Sequence, residues 1–251
     1  MFRAVMADAR LWRSLLSAIS PLIDEGNFTV TPEGLKLRSM DPSHVAMVDF
    51  ELPNSAFKEY TCTELKKIRI NLESMLKLLK RSKTGETIEL VYDEESKKIH
   101  MTLQDKIKKV YVIPTLETIE EETPTPKVNF NSLIKIPSTV FKEIIDDTQE
   151  VSDNVKLEAT SERFTVSAST ELSSGRFEIE KGAETLLDIQ VKEPSTATYN
   201  LSYLSDMVKG GADTSEILSL EFSTNMPLRL KFEMPQSGQI VYYLAPRIEA
   251  E

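Results

Sequence analysis

The chain reads as one unit written twice. Trp12, Leu15 and Leu16 recur 129 positions later as Phe141, Ile144 and Ile145. Leu35 and Leu37 recur as Phe164 and Val166 at the same spacing. Asn71-Leu72-x-x-Met75-x-x-Leu78-Leu79-Lys80 recurs as Asn200-Leu201-x-x-Leu204-x-x-Met207-Val208-Lys209, again 129 positions on. The unit endings also match, Val110-Tyr111-Val112-Ile113-Pro114 against Val241-Tyr242-Tyr243-Leu244-Ala245-Pro246. Apolar periodicity alone is common, but three matches in one register over half the chain are hard to obtain by chance. Self-similarity at a long period outranks local readings, and here it predicts two similar domains.

Between the copies lies Thr115–Lys127, where neither helical nor strand period survives. Glu117, Glu120, Glu121 and Glu122 repel one another, and Pro124 and Pro126 forbid regular ladders. This stretch reads as an extended, solvated linker, which places the domains at 1–114 and 128–251. A chain of 251 residues has room for both.

Charge then limits the partners. Forty acids against 30 bases give a net charge of −10, so bulk attraction to nucleic acid is not expected. The single cysteine, Cys62, excludes an internal disulfide framework and fits a reducing compartment. No apolar run approaches the ~20 residues of a membrane span, and the N-terminus lacks a signal-peptide core. An intracellular location is expected.

The local pattern predicts helix, strands, helix, strands in each half. Leu11, Trp12, Leu15, Leu16, Ile19, Leu22 and Ile23 share one arc of a helix over Ala9–Ile23. Alternation predicts strands at Asn27–Val30, Gly34–Arg38, Val45–Leu52, Tyr60–Cys62 and Lys67–Arg69. Asn71–Lys83 is a second helix, followed by strands at Thr87–Tyr92, Lys98–Leu103 and Lys106–Ile113. In the second half, helices are expected at Pro137–Asp147 and Tyr199–Lys209, the latter capped by Gly210-Gly211 in the left-handed conformation. Strands are expected at Val155–Glu158, Phe164–Ala168, Gly175–Glu180, Leu186–Val191, Ile217–Phe222, Leu228–Glu233 and Gln239–Leu244.

Catalytic chemistry finds little support. There is no Walker loop and no Gly-rich dinucleotide turn, with only 8 glycines in the chain. His44, His100 and Cys62 have no metal-ligand spacing. No Ser-His-Asp set carries a local signature.

Three stretches bear a resemblance. Gly34-Leu35-Lys36-Leu37-Arg38-Ser39-Met40-Asp41-Pro42-Ser43-His44-Val45 resembles the signature loop of the sliding-clamp family that includes proliferating cell nuclear antigen. Cys62, followed by Asn71-Leu72-x-x-Met75-x-Lys77-Leu78-Leu79-Lys80, is similar to its second signature. Tyr242-Tyr243-Leu244-Ala245-Pro246-Arg247-Ile248-Glu249 is similar to its C-terminal tail. The similarity spans the whole chain. It implies an α+β fold of two DNA-clamp domains, helices lining a hole and antiparallel sheets outside, three subunits closing a pseudo-six-fold ring around duplex DNA. An encircling protein needs only a lining that tolerates phosphate, which answers the charge objection.

The resemblance implies three surfaces and no catalytic residue, cofactor or metal. The DNA-facing set is Arg10, Arg13, Lys77, Lys80, Arg81 and Lys83 in the first half and Lys142 and Lys209 in the second. Only Glu73 offsets the first group, whereas Glu143, Asp146 and Asp206 accompany the second, a departure from the family's usual basic third helix. The partner-peptide set is Met40, His44, Val45, Met47, Pro227, Tyr243, Leu244, Ala245, Pro246 and Ile248. The linker departs here too, with Leu116 and Ile119 as its only large apolar side chains. The subunit-interface set pairs Lys108, Lys109 and Tyr111 with Phe177, Glu178 and Ile179.

The function so implied is that of a replication clamp, a processivity factor for DNA polymerase. Its expected partners are the clamp loader, flap endonuclease, ligase and repair proteins, and its place is on the chromosome. A specialised subunit of a hetero-oligomeric or damage-signalling clamp is the second reading. An unrelated acidic enzyme is the third.

Overall fold

Asn71 and Asn200 begin equivalent helices in the same way. Each side-chain amide oxygen accepts a backbone N–H three residues on, from Ser74 at 2.8 Å and from Tyr203 at 3.2 Å. Each thereby satisfies one of the donors a helix start leaves open. The repeat read from sequence is thus a repeat of folding signals. The computed structural model describes residues 1–119 and 123–248; Glu120, Glu121 and Glu122 of the linker and Glu249 of the tail lie outside the described residues.

The described chain sorts into two compact units. One comprises Met1–Pro42, Val48–Thr123 and Met234–Ile240; the other comprises Ser43–Met47, Pro124–Glu233 and the segment from Val241 onward.

The first unit runs β1 (Phe2–Met6), α1 (Ala9–Ile19), β2 (Glu25–Thr31), β3 (Gly34–Met40), β4 (Ala46–Pro53), β5 (Glu59–Cys62), β6 (Lys66–Asn71), α2 (Leu72–Leu79), β7 (Thr87–Asp93), β8 (Lys98–Gln104) and β9 (Lys108–Pro114). Its strands lie in the orders β5-β1-β7-β8-β9 and β4-β3-β2-β6. The second runs β10 (Ser132–Pro137), α3 (Ser138–Gln149), β11 (Asn154–Ala159), β12 (Arg163–Ser169), β13 (Ser174–Glu180), β14 (Asp188–Val191), β15 (Ser195–Asn200), α4 (Leu201–Ala212), β16 (Ile217–Phe222), β17 (Leu228–Glu233) and β18 (Gln239–Leu244). Its orders are β14-β10-β16-β17-β18 and β13-β12-β11-β15. Strand for strand, the second unit repeats the first.

Most of the predicted core residues are buried, but Leu11, expected on the inward arc, is 39% exposed, and Leu76 is half-buried. Trp12, Leu15, Leu16, Phe141, Ile144, Ile145, Leu35, Leu37, Phe164 and Val166 are all buried. Trp12 meets Phe28, which meets Phe50, at centroid distances of 6.2 and 6.3 Å. In the second unit Phe141, Phe164 and Phe222 form a like chain at 6.3 and 6.5 Å. Burial of each such side chain contributes about 1.5–3 kcal/mol.

Several expectations are corrected. The helix expected over Ala9–Ile23 ends at Ile19, because Pro21 follows within two residues. Leu22 and Ile23 are buried from the turn instead. The helix expected over Asn71–Lys83 ends at Leu79, leaving Arg81 and Lys83 on the following turn. Gly210 and Gly211 are helical residues of α4, not a left-handed cap. A Cβ on Gly211 would stand 2.3 Å from the Phe232 ring, so glycine there allows close approach of helix and ring. Each unit opens with a strand, β1 or β10, that the sequence pattern did not reveal, and β15 was missed as well.

Candidate nucleic-acid and partner interfaces

The first unit gathers its cations along α1 and α2. Asp8 caps α1 by accepting the Arg10 N–H at 2.8 Å, and the Arg10 guanidinium returns to the same carboxylate at 2.6 Å. That guanidinium holds the Asp8 carboxyl below its ordinary range. Arg13 donates to the Lys80 carbonyl at 3.4 Å, which ties α1 to the end of α2. Arg13, Ser17, Glu73, Leu76, Lys77 and Lys80 line a shallow groove between the two helices. Lys77 pairs with Glu73 at 2.9 Å, but both side chains are about two-thirds exposed, so water and salt screen the pair. Lys80, Arg81 and Lys83 are exposed.

The second unit treats its cations differently. Lys142 lies 2.8 Å and Lys209 3.4 Å from the one carboxylate of Asp146. Lys209 also donates to Gln149 Oε1 at 3.3 Å. The Lys142 hydrogen bond holds the Asp146 carboxyl below its ordinary range, with Lys209 adding to it. The i, i+4 spacing of Lys142 and Asp146 is legible in the sequence; the arrival of Lys209 from α4 is not.

The partner-peptide set divides by burial. Met47, Tyr243 and Leu244 are buried, Met40, Val45, Pro227, Ala245 and Pro246 are half-buried, and His44 and Ile248 are exposed. His44 sits in the left-handed region at φ 57°, uncommon for a residue with a side chain. Within the second unit, Ala245 N–H donates to the Val45 carbonyl at 2.9 Å. Arg247 N–H donates to the Thr198 carbonyl at 2.7 Å, and its guanidinium reaches Asn154 Oδ1 at 2.9 Å. The tail is held at Ala245 and at Arg247, while Ile248 itself stays 75% exposed.

The interface set falls on strands at the ends of their sheet orders. Among the described residues β9 pairs only with β8, and β13 only with β12. Two of the expected charges already have partners. Lys109 pairs with buried Glu86 at 2.5 Å, and Glu178 pairs with Arg176 at 2.6 Å. Tyr111 and Phe177 are half-buried and Ile179 is buried. The exposed apolar side chains of β9 are Val110 and Val112, 54% and 50% exposed. Sequence reading missed them, although Lys108-Lys109-Val110-Tyr111-Val112 alternates and puts Val110 and Val112 opposite Tyr111.

The class this architecture defines is a duplicated α+β chain with two α-helices and nine strands in each copy among the described residues. The family description "Proliferating cell nuclear antigen, N-terminal domain" matches residues 1–122, and "Proliferating cell nuclear antigen, C-terminal domain" matches residues 124–247. The chain is 36% identical to the DNA polymerase sliding clamp of Thermofilum pendens over 251 residues, covering 99% of this chain and 100% of that one. It is 34% identical over 242 residues to DNA polymerase sliding clamp 1 of Pyrobaculum aerophilum, covering 96% of each. The crystal structure of PCNA from Thermococcus kodakaraensis superposes with a TM-score of 0.93 at 27% identity, covering 98% of this chain and 100% of that one. The chain belongs to the proliferating cell nuclear antigen family.

Proposed function

We propose that the chain is a DNA sliding clamp, three copies of which close a ring around duplex DNA and hold the replicative polymerase to its template. The observation that carries this reading is the full-length match, in sequence and in fold, to proteins named DNA polymerase sliding clamp. Domains at 1–114 and 128–251, joined by 115–127, suit the duplicated unit. The work is mechanical rather than catalytic and calls for no cofactor.

The DNA-facing residues are Arg13, Lys77, Lys80, Arg81 and Lys83, with Arg10, Lys142 and Lys209 contributing less because Arg10 faces Asp8 and both lysines face Asp146. Clients dock through a short apolar-aromatic peptide at the partner set, with Ile248 its most exposed apolar member. These clients are the polymerase, the clamp loader, flap endonuclease, ligase and repair proteins, met on chromosomal DNA. Subunits join through β9 and β13. A specialised hetero-oligomeric or damage-signalling subunit is not favoured, since the relatives reported above are polymerase clamps by name.

Light scattering on the pure chain tests the assembly. A mass near three times 28.4 kDa is expected. Stimulation of polymerase on circular DNA after loading is the functional readout, and a monomer without stimulation would overturn the reading.

A further inference from the structure

The linker is fastened to the first unit before any partner arrives. β6 ends its strand order, and edge strands leave backbone groups open. Leu116 N–H donates to the Arg69 carbonyl at 2.8 Å, a single isolated bridge on that edge. The Arg69 guanidinium adds a second hold by donating to the Glu117 carbonyl at 3.1 Å. Glu25, on β2, pairs with the same guanidinium and orients it. Asn27 stands directly opposite Arg69 across β2 and β6, and its side-chain amide donates to the Ile119 carbonyl at 2.8 Å. At the other end Thr115 N–H donates to the Lys97 carbonyl at 3.0 Å. Four carbonyl or amide groups within residues 115–119 are thus fixed, three of them by Arg69 and Asn27 together.

One backbone bridge would fray alone, because ordering each residue costs about 1–2 kcal/mol. The two side chains supply what the bridge lacks. Their effect is to present Leu116, half-buried, and Ile119, 40% exposed, on a segment of set conformation.

We propose that Arg69 and Asn27 are positioning residues for client docking: they latch segment 115–119 onto the β6 edge, so that a short apolar-aromatic peptide meets a linker already in place. This rests on the peptide-docking reading above. A preset segment spares the complex part of its ordering cost, so the latch acts on affinity without touching the peptide.

The test compares the full chain with Arg69→Ala, Arg69→Lys and Asn27→Ala. A fluorescein-labelled peptide bearing an apolar-aromatic client motif reports Kd, on-rate and off-rate. Hydrogen exchange at the Leu116 amide reports the latch, and the thermal midpoint reports the fold. Arg69→Ala is expected to speed Leu116 exchange and raise Kd by about tenfold, the change that ~1.4 kcal/mol makes. Asn27→Ala should do less, and Arg69→Lys should recover part of the loss by keeping its charge beside Glu25. An unchanged Kd in both alanine variants, with the unchanged chain binding well, would overturn this proposal alone. Failure of the unchanged chain to bind the peptide, with exchange at Leu116 still slow, would overturn the docking reading and the role built on it.

Discussion

The Glu86 carboxylate, 1% exposed, holds the Lys109 ammonium at 2.5 Å. It also accepts the Lys83 N–H at 3.1 Å, and its own carbonyl accepts the Ala9 N–H that opens α1 at 2.8 Å. One residue therefore joins the turn that carries Lys83, the start of α1 and edge strand β9. Burial pushes the carboxyl upward, but the Lys109 and Lys83 hydrogen bonds outweigh it and leave it below its ordinary value. A carboxyl depressed in the folded state contributes stability above its unfolded pKa and loses it as pH falls through the folded one. The chain should lose thermal stability below about pH 4.3, the ordinary glutamate value, more steeply than Glu86→Gln does. Calorimetry in steps of pH checks this, and parallel curves for the two proteins would detach Glu86 from the acid response.

Asp146 pairs with both Lys142 and Lys209, so Asp146→Asn should free them. Duplex DNA binding at low salt should tighten. The slope of log K against log salt should steepen by about 1–2, since each new phosphate contact adds roughly 0.9. Charge reversal of Lys77, Lys80 and Arg81 should do the opposite and cut polymerase stimulation. Titrations at several salt concentrations distinguish the two effects from nonspecific loss of folding.

Gly211→Ala would place a Cβ 2.3 Å from the Phe232 ring, deep in the second unit. Overpacking of this kind costs about 1–3 kcal/mol. Urea unfolding should show a lower midpoint at unchanged slope. A variant as stable as the parent would show that α4 can move away from the ring at no cost.

Val110 and Val112 stand exposed on β9, whose open backbone edge suits strand addition by another copy. Replacing both with aspartate should shift the assembly toward a mass near 28.4 kDa while circular dichroism stays unchanged. A trimer that survives the double change would move the contact elsewhere.

Large side chains in register made the architecture legible. Trp12 against Phe141 and Asn71 against Asn200 report two helices apiece, and their 129-residue spacing reports the duplication. The opening strands escaped for two physical reasons. Ala4 and Ser132 are too small to mark an inward face, and the inward residues Phe2, Ala4 and Met6 correspond to Ser132, Ile134 and Ile136 at a spacing of 130 rather than 129. Surface roles were less legible than the core. Composition gave the basic bias of α1 and α2, but whether a lysine is free depends on neighbours distant in sequence, such as Glu86 for Lys109 and Asp146 for Lys209. The linker's attachment was hidden for the same reason, since Asn27 and Arg69 lie far upstream of Ile119 and Glu117.

The shared asparagine caps have a consequence for descent. A gene that doubles itself gains a spare copy, and each copy can then change while the other keeps its inherited form. Here the cap at Asn71 and Asn200 is alike in both copies, although Asp8 caps α1 and, among the described residues, α3 has no side-chain cap. What has diverged is surface charge: Arg13, Lys77 and Lys80 share a groove in one copy, while in the other Asp146 sits between Lys142 and Lys209. The two copies thus share one scaffold with two electrostatic characters.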